Sequence, residues 1–231
     1  MCSDMMSEGE APRPYFRYKV YKRIRHAEVF AQKLGIEAID YGGNLRIANL
    51  ANHTFFLASQ REAPLPRAVR VRTFTEAGDD PDEIAYYQAG LGDVLGEIEI
   101  NLGHTFWNDP ASAMRRAHED RDFSTDDARH PIAHELGELA MHQSIGGDRF
   151  YPLDESYLAT EEEFQAEDLD HVFEVISDRA TQNHSEFVAE VFAVLLLNGG
   201  KVRQDAKLMQ LYEKYGGIGI RRYDADTRGR R

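Results

Sequence analysis

The sequence contains a single cysteine, Cys2, and a single tryptophan among its 231 residues. One cysteine cannot form an intramolecular disulfide, which excludes a disulfide framework and is typical of a protein from a reducing compartment. No stretch approaches the roughly 18 consecutive apolar residues of a membrane span, and no apolar signal-peptide block opens the chain. We therefore expect a soluble protein with no membrane partner that is not exported by the usual signal.

Basic residues are also in deficit, with 27 lysines and arginines against 40 acidic residues and a net charge of −13. An excess of negative charge over most of the surface argues against nucleic acid as a partner, because phosphate backbones repel it. A local cluster of basic residues at 17–25 is interpreted as a solvated helix face, and the arginine-rich C-terminal end as a solvated tail.

The apolar content of 42% over this length is enough for one globular domain with a core of its own. Residues 1–14 are polar, contain two prolines and show no periodicity, so we interpret them as a flexible lead. Residues 15–217 are interpreted as a single domain, and residues 218–231 as a basic C-terminal tail.

Periodicity along residues 15–217 predicts both helices and strands. Helical spacing indicates helices over 24–34, 45–60, 110–120 and 161–181, the third with Asp109 as its N-cap. Residues 36–40 suggest a short strand. Residues 69–74 and 97–101 alternate between apolar and polar side chains, the pattern of an antiparallel sheet that is covered on one side. The predicted fold class is α+β.

The run from residue 130 to residue 142, HPIAHELGELAMH, concentrates ionisable groups on an otherwise apolar segment. In a helix, His130, His134, Glu138 and His142 form one polar face because they are four residues apart. His134 and Glu135 begin a close match to H-E-x-x-H, in which two histidines bind zinc and the glutamate activates water. Glu138 stands where that motif has its second histidine.

A second segment, residues 183–197, is apolar nearly all round and indicates a buried helix that carries Glu186 and Glu190 one turn apart. Carboxylates buried without partners cost several kcal/mol, so this pair requires a metal, a cation or a hydrogen-bond network. A glutamate from a later helix is the usual third ligand of an H-E-x-x-H zinc site. Glu190 is alternatively a partner of an arginine such as Arg179, or of His134.

These pieces together resemble a known family. The chain is similar to the zincin-type metallopeptidase domains of phage Mu F-type head-morphogenesis proteins and their toxin relatives, and its glutamate helix is similar to that of the lethal-factor peptidases. The similarity covers about residues 95–217, and residues 24–94 only in the order of elements. It is carried by Ser124-Thr125, His130, His134-Glu135, Ser185-Glu186-Phe187, Glu190, Leu211-Tyr212 and Gly216-Gly217.

The resemblance implies a zincin-like α+β fold with a small, twisted, mostly antiparallel sheet. Its edge strand, for which residues 95–102 are the candidate, would lie over a cleft formed by the active-site helix and the buried glutamate helix. It also implies metal ligands at His134, Glu138 and Glu186, with Glu135 as general base. Glu190 would contact one of the ligands and not the metal itself. The implied cofactor is a divalent metal, with zinc first.

The chain departs from the family at two places. Glu138 replaces a histidine, and one histidine with two carboxylates is a harder ligand set that also suits manganese or iron, or binds no metal at all. The tyrosine that precedes the glutamate helix in lethal-factor sites is absent, because residues 179–183 read RATQN.

Other histidines are candidates to replace the missing second histidine of the motif. His142 is excluded as a partner of His134, since eight residues span about 12 Å along a helix. His130 is one turn from His134 and is an alternative ligand on distance, although Pro131 predicts that His130 is an N-cap with its side chain directed elsewhere. His142 and His184 are interpreted as surface or capping residues.

Two functions from different classes follow. The first is a metal-dependent peptidase of phage or prophage origin, in which Glu135 deprotonates water and a peptide or protein substrate lies along residues 95–102. The second is a catalytically degenerate zincin fold that serves as a virion, head-morphogenesis or protein-interaction module. We expect the protein in the host cytoplasm or associated with a virion.

Overall fold

The computed structural model of the protein describes residues 18–90, 96–146, 155–198 and 201–221. The first half forms α1 (Ile24–Lys33), β1 (Ala38–Asp40), α2 (Leu45–Gln60), β2 (Ala68–Arg72), β3 (Ala85–Gln88) and β4 (Glu97–Asn101). A 3-10 turn at Thr105–Asn108 precedes α3 (Pro110–Glu119), α4 (His130–Ile145), α5 (Glu155–Gln165) and α6 (Leu169–Val175). Further 3-10 turns at Arg179–Thr181 and Val202–Gln204 flank α7 (His184–Leu197), and α8 (Ala206–Lys214) follows.

These elements confirm the α+β class. The lead at 1–14 and residues 222–231 of the predicted tail at 218–231 lie outside the described residues. Among the residues that the structure describes, every helix is too short or too polar to cross a lipid bilayer.

The predicted helices over residues 24–34, 45–60 and 110–120 are confirmed as α1, α2 and α3, with local capping as the cause of two of their starts. The Asn44 side chain accepts a hydrogen bond from the Ile47 amide at 3.0 Å and begins α2. Asp109 accepts one from the Ser112 amide at 3.3 Å and begins α3, with Pro110 at its first position.

The sheet has the strand order β1-β2-β4-β3 and mixed directions. β2 is parallel to both β1 and β4, and only β3 and β4 are antiparallel. The prediction of a mostly antiparallel sheet is therefore wrong. Alternation of apolar residues shows which face of a strand is buried but not its direction, and the crossover through α2 brings β2 back parallel to β1.

The predicted edge strand is also wrong, because β4 lies inside the sheet between β2 and β3. The strand at that edge is β3, only four residues long. Its Tyr87 hydroxyl lies 2.6 Å from Nδ1 of His142 on α4, so β3 is the strand next to this helix. Residue 95, the start of the predicted edge strand, lies outside the described residues.

The predicted continuous helix over 161–181 is divided into α5, α6 and a 3-10 turn. Asp168 accepts a hydrogen bond from the His171 amide at 3.3 Å and starts a new helix there. Ser177 accepts one from the Ala180 amide at 3.3 Å and begins the 3-10 turn. Short polar side chains offer the backbone these alternatives to a continuing helix, and the apolar periodicity did not show them.

Helices α4 and α7 pack together at the centre of the molecule, and almost all of their side chains are buried. Each buries apolar residues against the other and against the rest of the core. On α4 these include Ile132, Ala133, Leu136 and Leu139, and on α7 Phe187, Val188, Val191 and Phe192. The polar side chains on the facing surfaces of this pair therefore lie in a nearly dry environment.

Candidate metal centre

A glycine lets the two central helices approach closely. A Cβ atom added at Gly137 on α4 would lie 2.6 Å from the Ala189 Cα on α7, closer than real Cβ atoms come. Only a residue without a side chain fits there. Gly137 lies between His134 and Glu138 in sequence, and Ala189 lies just before Glu190. The contact therefore brings the ligand-type residues of both helices to the same place.

Glu190 is the buried centre of the arrangement and is 0% exposed. Its Oε1 lies 2.9 Å from Nε2 of His130 and 2.8 Å from Nδ1 of His134. Its Oε2 accepts hydrogen bonds from the Ser124 amide at 2.8 Å and from the Ser177 hydroxyl at 3.2 Å. Both oxygens of Glu190 therefore have hydrogen-bond partners, and the carboxylate holds the rings of His130 and His134.

His130 lies inside this network, so its prediction as an N-cap with an outward side chain is wrong. Arg129 is the N-cap of α4, and His130 occupies the first turn. The His130 amide donates to the Asp127 carbonyl at 2.8 Å, and Thr125 Oγ1 lies 3.1 Å from its ring Nδ1. Proline needs no amide hydrogen in a first turn, so Pro131 permits the helix to begin one residue earlier than expected.

His134 presents one free ring nitrogen. Its Nδ1 contacts Glu190, while its Nε2 is buried and makes no hydrogen bond with the described residues. Nε2 lies 3.2 Å from the Glu186 carboxylate, but not in a direction that forms a hydrogen bond. A histidine held at one nitrogen by a carboxylate, with the other nitrogen open, is the usual arrangement of a metal ligand.

Two sets of three ligand atoms lie within 4.8 Å of one another, and His134 belongs to both. One set is His134 with Glu138 and Glu186, the three ligands that the resemblance implied. The other is His130, His134 and Glu190, in which the ring nitrogens that face Glu190 already contact it. The first set is the better fit to a divalent cation, because Nε2 of His134 makes no hydrogen bond with the described residues, whereas the ring nitrogens of the other set are already held by Glu190.

Arg179 also lies at this site, although no motif predicts it there. Its Nε donates to Glu186 Oε2 at 2.6 Å and its Nη2 to Oε1 at 3.3 Å. The sequence offers Arg179 as one candidate partner of Glu190, but the structure pairs it with Glu186. Both residues are within reach of a long side chain at position 179, so the sequence alone does not choose between them.

Opposite charges hold three of these groups ionised. Burial alone would raise the pKa of Glu186, but His134 and Arg179 outweigh it and lower that pKa to about 2. Burial is likewise outweighed at Glu190, where His130 and His134 hold the pKa well below its usual range. At His134 burial favours the neutral ring, yet Glu186 and Glu190 raise its pKa well above the ordinary value.

The other two carboxylates behave differently. Burial raises the pKa of Glu138 to about 7, with His134 opposing the change and Glu186 reinforcing it. Burial and the Glu138 carboxylate raise the pKa of Glu135 well above its usual range. Glu135 is 5% exposed on the same helix as His134. The site therefore contains more carboxylates than its own cations can keep ionised.

The remaining two histidines are not surface or capping residues, so that prediction is wrong. His142 is buried, and its Nδ1 lies 2.6 Å from the Tyr87 hydroxyl. His184 is buried at the start of α7, where its Nδ1 lies 2.7 Å from a Glu161 oxygen and its ring is 4.4 Å from that of Tyr157. The hydrophobic surroundings that bury them come from β3 and α5, whose positions the sequence did not predict.

Comparisons of the chain with protein-family models, with curated proteins and with solved structures find no match. The geometry of this site is therefore the basis for inferring a function.

Proposed function

We propose that the protein is a zincin-like, metal-dependent peptidase in which His134, Glu138 and Glu186 bind a divalent cation. The observation that carries the proposal is the orientation of His134. Its Nδ1 is held by Glu190, and its unpartnered Nε2 is buried beside two carboxylates. A buried nitrogen without a partner costs free energy, which a bound cation would recover.

When bound, the cation would supply a Lewis acid that polarises a substrate carbonyl and acidifies water. Glu135 would accept the proton of the attacking water and then donate it to the leaving amine. Its position next to His134, buried at the same site, suits this role. Glu190 would keep the His134 ring in place, with the Ser124 amide and the Ser177 hydroxyl holding the carboxylate.

An extended peptide substrate would pair with β3. β4 has neighbours on both sides, whereas the outer edge of β3 carries no strand among the described residues. Terminal strands of a sheet recruit extended peptides through main-chain hydrogen bonds. β3 contacts α4 through Tyr87 and His142, so a peptide on its outer edge would run beside the helix that carries Glu135.

A second function remains in our proposal because of the Arg179–Glu186 pair. Glu186 already has a cationic partner at 2.6 Å, so its charge is balanced without a metal. In that case the protein would serve as an interaction module, for example among phage virion components. In the first function, the ligands His134, Glu138 and Glu186 could bind manganese or iron as well as zinc, because two carboxylates make a hard ligand set.

Hydrolysis of a mixed fluorogenic peptide library, with zinc, manganese or iron supplied separately, tests the first function. We expect Glu135→Gln to lower the rate by about 10²–10⁴-fold, because it removes the general base. Glu213→Gln, an exposed glutamate on α8, is the matched control and should change nothing. Activity that survives intact in Glu135→Gln would contradict the peptidase proposal and favour the interaction module.

A further inference from the structure

The salt bridge between Arg179 and Glu186 uses both oxygens of a proposed metal ligand. Arg179 Nε and Nη2 each contact a different oxygen, at 2.6 and 3.3 Å. The Glu186 side chain is 15% exposed and that of Arg179 27%. Two-point contacts between a guanidinium and a carboxylate are among the stronger hydrogen-bonded ion pairs, and partial burial protects them from screening by salt.

Arg179 is fixed in place by the backbone on either side of it. It begins a 3-10 turn in which the Ser177 hydroxyl accepts a hydrogen bond from the Ala180 amide. Asn183 then caps α7 by accepting from the Glu186 amide at 2.9 Å. The guanidinium also lies 5.5 Å from the centre of the Phe123 ring. The turn, the cap and the ring therefore hold Arg179 at Glu186.

We propose that Arg179 is a resident cation that competes with a divalent metal ion for Glu186 and so sets the metal affinity of the site. The inference rests on the ligand set of the proposed function. A metal that binds Glu186 must take at least one oxygen from the guanidinium and must lie close to its positive charge. Both effects weaken metal binding. Because arginine stays protonated at every accessible pH, only a metal of sufficient affinity displaces it.

Competition between Arg179 and a metal ion is compatible with both proposed functions, the metal-dependent peptidase and the metal-free interaction module. Without metal, Arg179 and His134 balance the charges of Glu186 and Glu190, and Glu135 and Glu138 remain as additional carboxylates of the site. With a metal of high affinity, the same residues form a catalytic centre. Arg179 would then restrict the site to strongly binding ions, since the affinity of divalent ions for a given site generally rises from manganese to zinc.

The test is the zinc dissociation constant, measured by competition with a chromophoric chelator for the wild type and three variants. Arg179→Met removes the competing charge and keeps a long side chain. Arg179→Lys keeps the charge but cannot make the two-point contact. Arg221→Met is the matched control, because it removes an arginine that pairs with Glu62 on the surface. Cobalt absorption spectra of the same proteins report the ligand set independently of zinc.

We expect Arg179→Met to bind zinc at least about tenfold more tightly than the wild type, because a positive charge next to the ion is lost. Arg179→Lys should gain several-fold, by loss of the two-point contact alone. Arg221→Met should not differ from the wild type. If Arg179→Met does not melt cooperatively, the Arg179→Lys result decides.

An affinity that is unchanged or lower in the Arg179 variants, including no binding by any protein, overturns the inference. The proposed function can fail separately. Zinc binding by Arg179→Met but not by the wild type would support the competition and contradict a metal-dependent wild type. Equal binding by the two would support a metal centre and contradict the competition.

Discussion

Glu99 on β4 and Glu186 on α7 are carboxylates that pair with arginine, but their surroundings differ. Glu99 accepts from Arg72 Nε at 2.5 Å and lies 3.3 Å from Arg70 Nη1. The other nitrogens of Arg72 bind Asp79 and the Tyr86 hydroxyl, and that guanidinium holds the pKa of Asp79 well below its usual range. Glu97 lies 3.6 Å from Arg70 and 3.8 Å from Arg67, so three arginines face three carboxylates and the charges of this sheet cluster are matched.

The cluster between α4 and α7 is not matched. It contains the carboxylates of Glu135, Glu138, Glu186 and Glu190, and its ionised cations are Arg179 and His134. Among the residues that the structure describes, none forms a hydrogen bond with the buried Nε2 of His134. A matched cluster is complete as a structural element, whereas an excess of carboxylates can accept a further cation, which would replace the proton on Nε2 of His134. The four predictions below test that difference.

The largest expected effect is that of Glu190→Ala, which would leave two buried histidines and the Ser124 amide without their partner. We expect a loss of about 3–5 kcal/mol in the free energy of unfolding, measured by denaturant titration. Glu99→Ala should cost less, about 1–2 kcal/mol, because Arg72 keeps Asp79 as a partner and Arg70 is exposed to solvent. Equal losses at the two sites would contradict the distinction between them.

Gly137→Ala tests whether the close helix contact holds the unmatched cluster together. A Cβ there would lie 2.6 Å from the Ala189 Cα, so the helices would have to separate. We expect a loss of about 2–3 kcal/mol in the same assay. The matched control is Gly219→Ala, where an added Cβ meets nothing within 4 Å. Similar stabilities for the two variants would show that the contact is not constrained.

A glutamate-to-glutamine substitution should change the stability of the protein in opposite directions at the two clusters. The folded protein raises the pKa of Glu138 from 4.5 to about 7, so its favourable contribution is present below pH 4.5 and is lost as the pH rises to 7. In metal-free protein at pH 8 we therefore expect Glu138→Gln to stabilise the fold by about 2 kcal/mol, and by much less at pH 4.5.

The control is Glu99→Gln, which should destabilise the protein at pH 8, because it weakens charged hydrogen bonds in a matched cluster. Thermal melts at pH 4.5 and pH 8, in the presence of a chelator, measure both variants. A Glu138→Gln protein that is less stable than the wild type at pH 8 would mean that Glu138 already has a satisfying partner.

The smallest expected loss in the free energy of unfolding is that of a contact between uncharged groups. Tyr87→Phe removes the hydroxyl that lies 2.6 Å from His142 Nδ1 and accepts a hydrogen bond from the Gly96 amide at 3.1 Å. We expect a loss of about 1 kcal/mol by denaturant titration, because no charge is left unpaired. A loss as large as that of Glu190→Ala would show that burial, and not charge, dominates both regions.

What the sequence allowed us to predict was local. The four-residue spacing of His134 and Glu138, and of Glu186 and Glu190, places each pair on one helix face without reference to the rest of the chain. The caps at Asn44 and Asp109 are local in the same sense. The sequence also favoured burial of both glutamates on the second helix.

What it did not show depends on distant contacts. Strand direction in β1, β2 and β4 follows from how the chain crosses the sheet, which alternation does not encode. Arg179 can reach either Glu186 or Glu190, and the turn that begins at Ser177 decides between them. The position of His130 likewise depends on Glu190, sixty residues away in sequence.

The most direct test of the central claim is native mass spectrometry of the wild type, His134→Ala and Glu138→His, after equilibration with excess zinc and removal of unbound metal. We predict about one zinc ion per wild-type chain and none in His134→Ala, because Nε2 of His134 is the free ligand. A wild type that binds no zinc, with one ion appearing only in Glu138→His, would contradict the claim that the unmatched cluster accepts a metal.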